Sequence, residues 1–138
     1  MTEERRNFNE QIVAEFRANR GVVGGPFAGR DLLLLTTVGA KSGQARITPL
    51  VYTRDGDRLV IAASYGGAPK NPGWYHNLLA APKVTVEVGE DKFEATATVV
   101  EDRAERDRLY AGMVAHAPGF ADYEKKTDRL IPIVVLDR

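Results

Sequence analysis

"RITPLVYTRDGDRLVIAAS", residues 46–64, reads as a β-hairpin, and that reading decides the fold class. Two runs rich in branched and aromatic residues flank Asp55-Gly56, the dipeptide a tight hairpin turn favours. Outward from it, "DLLLLTT" reads as a buried strand, and "KVTVEV" and "KFEATATVV" as two more. Val84, Val86 and Val88 alternate with Thr85 and Glu87, while Phe93, Ala95, Ala97 and Val99 alternate with Glu94, Thr96 and Thr98. Each strand is therefore expected to have one dry face and one wet face. "IPIVVL" adds a last strand. Helical spacing of Phe8, Ile12, Val13 and Phe16 predicts an N-terminal helix over about 7–20, with Asn7 as N-cap and Gly21 as stop. "EDRAERDRLYAGMVAHA" predicts another, with Leu109, Tyr110, Met113 and Val114 on its apolar side and Pro118-Gly119 at its end. Strands joined by hairpins, without regular alternation of strand and helix, argue against a Rossmann sheet. The expected fold is mainly β with helices (α+β): a small antiparallel barrel of about six strands, flanked by helices, in a single domain over 1–138 with the barrel from about 31.

Composition narrows the function. Nineteen Lys and Arg balance nineteen Asp and Glu, so no overall field draws the chain to nucleic acid or to an anionic membrane. Any anion site must be local, and no nucleic-acid partner is expected. There is no cysteine, and two histidines far apart make a poor ligand set, so no metal is expected. "MTEERRNFNEQ" lacks the apolar core of a signal peptide, and no apolar run reaches membrane-spanning length. A cytoplasmic protein without a transmembrane segment is expected. The N-terminal stripe is read as core packing, with weak contact to the inner face of a membrane as its alternative.

Two glycine-rich loops hold more chemistry than turns require. In "TTVGAKSGQARITPL", residues 36–50, Gly39 and Gly43 let a ligand approach the backbone, and Lys41, Ser42 and Arg46 add two cations and a hydroxyl. The order of residues is not that of a phosphate-binding Walker loop, and a strand rather than a helix follows. In "AASYGGAPKNPGWYHNLLAAP" a strand ends at Ser64, Gly66 and Gly67 form a loop, and a short helix is expected near Pro72 with Asn71 as its cap. Lys70 beside that helix N-terminus makes a second anion-friendly site. Trp74 and Tyr75 offer flat surfaces, although Trp74 in a first helical turn is more often a core anchor. His76 and Asn77 are read as hydrogen-bonding residues, with His76 as an acid or base the minor alternative. His116, near a helix end, is read as a partner of the helix dipole.

Together these residues resemble the deazaflavin-dependent nitroreductase family, mycobacterial and actinobacterial enzymes that use coenzyme F420. The resemblance covers "EFRANRGVVGG", "LLLLTTVGAKSGQARITPLVY", "GDRLVIAASYGGAPKNPGWYHNLLAAPKVTVEV" and "YEKKTDRLIPIVVL". It implies a split β-barrel related to FMN-binding proteins. It also implies that Lys41, Ser42, Gly43 and Arg46 help hold the cofactor's phosphate and acidic tail. Thr48, Pro49, Ala62, Ala63 and Ser64 would lie along the deazaflavin, and Gly67, Ala68, Lys70, Pro72, Trp74, Tyr75 and Asn77 would complete the groove. Many relatives carry a basic residue where this chain has Ala40, so one cation of the loop is missing here.

The activity implied is hydride transfer from reduced F420 to a small electron-poor acceptor, a quinone, enone or nitroaromatic compound. Such an acceptor gains negative charge on oxygen, which a positioned donor would stabilise. By resemblance Tyr123 is the candidate donor, a catalytic residue, and Phe27, Tyr65 and Phe120 would line the acceptor pocket from loops. A partly buried tyrosine anchoring the last loop is the plainer alternative for Tyr123. The rival functions are an FMN-dependent oxidoreductase on the same barrel and a deazaflavin-binding protein without turnover. A monomer is expected over a dimer.

Overall fold

The computed structural model describes residues 3–24, 31–68 and 70–138, excluding the side chains of residues 3–7 and 66. Phe27, expected in the acceptor pocket, lies outside the described residues. In chain order the elements are α1 (Glu3–Ala18), β1 (Leu32–Val38), β2 (Ala45–Val51), β3 (Thr53–Asp55) and β4 (Arg58–Ala62). They continue with α2 (Gly73–Ala80), β5 (Lys83–Val88), β6 (Asp91–Val99), α3 (Arg103–His116), α4 (Gly119–Lys126) and β7 (Ile133–Asp137).

The strands form one antiparallel sheet in the order β2-β1-β5-β6-β7-β4-β3. Its two edge strands, β2 and β3, are consecutive in the chain and separated by Tyr52 alone. They run in the same direction, so residues 45–55 act as one strand kinked at Tyr52. The upper part pairs with β1 and the lower part with β4. The kink curls the sheet into a split barrel, because both edges must meet at that residue. The long strand expected from the hairpin sequence is thus two strands, and the turn after it is as expected. Asp55 pairs with Arg58 across Gly56-Asp57, and Gly56 has φ of +62°. Pro49 is tolerated in β2 because the side of β2 away from β1 has no strand neighbour.

Three cores follow from this arrangement. Inside the barrel, Leu33, Leu35, Ile61, Val84, Val86, Val134 and Leu136 pack together, and Trp74 and Leu78 of α2 pack among them. On one outer face, α1 presses Ile12 and Phe16 onto Leu32 and Leu34. On the other, Leu109, Tyr110 and Met113 of α3 and Phe120 of α4 cover Val60, Ile133 and Val135. Four consecutive leucines in β1 are buried because helix and barrel interior cover both of its faces.

Several expectations are corrected. α1 begins at Glu3, so Asn7 lies inside it and cannot be its cap, and Phe8 is 40% exposed rather than buried. Glu87, expected on a wet face, is buried, because Arg17 of α1 reaches across β5 and donates to both its carboxylate oxygens at 3.1 and 2.9 Å. Pro118-Gly119 does end α3, but it also starts α4, with Pro118 at the N-cap. Phe120 and Tyr123 therefore sit on a helix rather than a loop.

Asp55 ties the hairpin to α3 by accepting hydrogen bonds from Arg108 and Arg58. Those bonds hold its carboxyl down to about 2. An unfolded aspartate titrates near about 3.9. The stabilisation is thus complete above that pH and lost as the pH falls from about 4 to about 2. Asp55→Asn should flatten the acid limb of a urea-midpoint curve in that window. An unchanged limb would place the acid sensitivity elsewhere.

Candidate functional site

The strand directions bring the two glycine-rich loops to one end of the barrel. β1 and β4 run parallel to one another with three strands between them, so the loop after Val38 and the turn after Ala62 leave the same rim. The split opens between them: Thr48 and Pro49 stand in β2, an edge strand with no strand partner on the side away from β1, and Ala62, Ala63 and Ser64 at the end of β4, beyond its pairing with β3. The side chains of Ala62 and Ala63 are buried in two different cores, so this end of β4 offers a ligand mainly its backbone.

The first loop is closed by its own hydrogen bonds. Gly39 N–H donates to Gln44 O at 2.7 Å, Gly43 N–H to Gly39 O at 2.9 Å, and Gln44 N–H to Ser42 Oγ at 3.2 Å. Asn77 of α2 then binds the loop to the second site. Its Oδ1 accepts from Ala40 N–H at 3.0 Å, and its Nδ2 donates to the buried Thr37 Oγ1 at 3.2 Å. Lys41 and Arg46 are exposed, and among the described residues neither has a carboxylate within bridging distance. The same holds for Lys70. Most arginines described elsewhere in the chain are paired with acids; Lys41, Arg46 and Lys70 stand unpaired on these two loops, where they are available to an external anion.

The second loop is built around Tyr65, which starts a short 3-10 turn (Tyr65–Gly67) at φ of +48°. That left-handed conformation is uncommon for a bulky side chain. Gly67 sits at φ of +83°, where a Cβ would stand 2.8 Å from Lys126 Cβ and 3.2 Å from Tyr123 O. Only a glycine lets the turn seat against α4 this closely. The expected cap of α2 is corrected: Pro72 occupies the N-cap, and Asn71 instead accepts a hydrogen bond from Arg129 at 2.7 Å. Tyr75 is half-buried against the barrel core. Its ring meets His76 edge-on, with centroids 5.7 Å apart. His76 is exposed, and His116 pairs with Asp31 at 3.1 Å.

α4 carries Tyr123 to this rim. Tyr123 is half-buried, edge-on to Phe120 with centroids 5.4 Å apart, and Lys126 Nζ lies 5.9 Å from its ring centre. Phe120 itself is a core residue whose ring also meets Tyr110. Two polar contacts fix α4 to α3: Tyr110 OH donates to Phe120 O at 2.6 Å, and Arg106 lies 3.5 Å from Glu124. Burial pushes the Tyr110 hydroxyl up to about 12, so it keeps its proton for that bond. Arg106 and Arg129, which organise this region, carry no spacing or motif by which the sequence could mark them.

The residues present fit a long anionic cofactor. Unpaired cations lie on two loops, and a Cβ added at Gly43 or Gly73 would meet open space, so their backbone is accessible. A cavity of about 390 Å³ lies elsewhere, between α3 and the kinked strand. In its lining Asp31 pairs with His116 and Asp55 with Arg108, Arg54 lies over the Tyr52 ring, and no residue of either loop takes part.

Comparison with known proteins agrees with this geometry. The family model for F420H(2)-dependent quinone reductase matches residues 8–138. The chain is 43% identical over 131 residues to an F420H(2)-dependent quinone reductase of Mycobacterium tuberculosis (strain ATCC 25618 / H37Rv), covering 91% of this chain and 86% of that one. Among solved structures it is similar to an F420-H2 dependent reductase, FDR-A, at 38% identity and TM-score 0.71, covering 83% of this chain and 100% of the other. A second structure, described as a domain-swapped dimer, is 35% identical with TM-score 0.73 over 98% of both chains. No described helix is long and apolar enough to cross a membrane. The chain belongs to the F420H(2)-dependent quinone reductase family, and its fold is the split barrel of that group.

Proposed function

We propose that this protein transfers a hydride from reduced coenzyme F420 to a small electron-poor acceptor, a quinone, enone or nitroaromatic compound. The carrying observation is the set of unpaired cations, Lys41, Arg46 and Lys70, on two loops that Asn77 ties together beside the split of the barrel.

When bound, the reduced deazaflavin supplies the hydride from its ring carbon. The chain's own residues bind and orient. Lys41, Ser42, Arg46 and Lys70, with the N-terminus of α2, hold phosphate and carboxylate groups. Thr48 and Pro49 on one side of the split and Ala62 to Ser64 on the other would flank the ring. Trp74 and Leu78 pack into the barrel core behind it and keep water from that side. Tyr123 and Tyr65 border the acceptor, and the Tyr123 hydroxyl donates to the oxygen on which charge develops. No nucleophile is required.

Titrating the protein with oxidised F420 and with FMN, followed through Trp74 fluorescence, tests the reading. F420 binding followed by acceptor reduction supports it. FMN binding alone would leave the barrel and remove the coenzyme, and tight F420 binding without turnover would make this a cofactor-binding protein. Tyr123→Phe is expected to lower kcat/KM about tenfold, the loss of one hydrogen bond, at unchanged F420 affinity. An unchanged rate would leave Tyr123 as pocket wall. We propose a monomer in the cytoplasm, with a swapped dimer as the alternative that light scattering separates.

A further inference from the structure

Arg129 stands just before β7, and its guanidinium makes four hydrogen bonds. Nε donates to Ala68 O at 3.0 Å, Nη1 to Asn71 Oδ1 at 2.7 Å, and Nη2 to Ala63 O at 3.1 Å and Ser64 O at 2.9 Å. Three of the acceptors are backbone carbonyls, and they lie on both sides of Tyr65. Among the described residues no carboxylate bridges this guanidinium, although every other arginine engaged through its guanidinium nitrogens is paired with an acid. All three of its side-chain nitrogens are engaged in shaping one stretch of chain.

We propose that Arg129 is the positioning residue of this site: by gathering the carbonyls before and after Tyr65, it holds the Tyr65–Gly67 turn in its left-handed start and so sets the acceptor wall. Three observations converge. Tyr65 is held at φ of +48°, a conformation that persists where surrounding contacts over-determine it. Within the turn, Gly67 N–H donates to Ser64 O at 2.9 Å and Ala68 N–H to Tyr65 O at 3.1 Å, so the Ser64 carbonyl serves both the turn and Arg129. The turn then seats on α4 through Gly67, against the backbone of Tyr123. Arg129 thereby controls Tyr65 directly and the seat of Tyr123 indirectly. A lysine could not replace it, because an ammonium lacks the planar fork that reaches carbonyls and an amide at once. The link to an acceptor rests on the function proposed above; the link to the turn does not.

Amide hydrogen exchange by NMR tests this without ligand. In Arg129→Lys, exchange at Gly67 and Ala68 should accelerate at least tenfold while the β1 amides keep their protection. Asn71→Ala, which removes one acceptor and leaves the guanidinium in place, should accelerate the same two amides by less, and it carries the test should the lysine variant fail to fold. In assays saturated with F420, both variants should raise acceptor KM more than they lower kcat. Unchanged exchange at Gly67 and Ala68, or acceleration spread evenly over β1, overturns the proposal. If the unmodified protein reduces no acceptor, the proposed function fails, while the exchange comparison still decides the role of Arg129.

Discussion

Replacing Lys41 and Arg46 together by alanine is expected to weaken F420 binding about a hundredfold at low salt, the loss of two charge-assisted contacts. Both side chains are exposed, and neither engages a carboxylate of the described chain. Removing them therefore breaks no internal pair, and the thermal midpoint should barely move. Binding to the unmodified protein should also weaken as salt is raised, and the double variant should show a shallower dependence. Fluorescence titration at two ionic strengths measures both effects. A loss below about threefold would mean that the tail is held elsewhere, and the loop would then be an ordinary basic turn.

Trp74→Ala should be the most damaging single change to the fold, at about 3–5 kcal/mol. Trp74 is 7% exposed and packs with Leu33, Ile61, Val86 and Leu136 in the barrel interior. Truncation would leave a cavity that rigid strands cannot collapse into. It would also loosen α2, and with it the grip of Asn77 on the first loop, so cofactor affinity should fall with stability. Urea unfolding followed by far-ultraviolet circular dichroism measures the cost. Trp74→Phe, which keeps a ring in place, should recover most of it. A cost below about 1.5 kcal/mol for the alanine variant would show that Trp74 is no core anchor.

What could be read from residues alone depended on whether a feature left a local mark. β6 has one wet face, so its alternation was legible and its Glu94, Thr96 and Thr98 are indeed exposed. In β5 the pattern misled at Glu87, because a helix about seventy residues earlier supplies the arginine that buries it. The kink at Tyr52 has no glycine or proline to announce it. α4 hid behind Pro118-Gly119, a pair that stops one helix and starts the next. Both candidate loops were legible as glycine-rich and basic, but their attachment was not. Asn77 reaches the Ala40 amide and Arg129 reaches three carbonyls, backbone groups that every residue has, so no side-chain pattern marks those targets.

The place of β7 in the sheet has a consequence for how the molecule comes into being. It lies between β4 and β6, so until residue 137 has been made the sheet exists as two separate pieces, each with an open edge. Pairing β4 with β7 joins segments roughly seventy residues apart, a slow step by contact order. During that wait the open edges invite any strand of matching pattern. The nearest supply in a crowded synthesis site is the same segment of another nascent copy. Exchange of the final strand would satisfy the same hydrogen bonds as closure within one chain, so the share of any swapped pairs would follow concentration during synthesis rather than the finished surface.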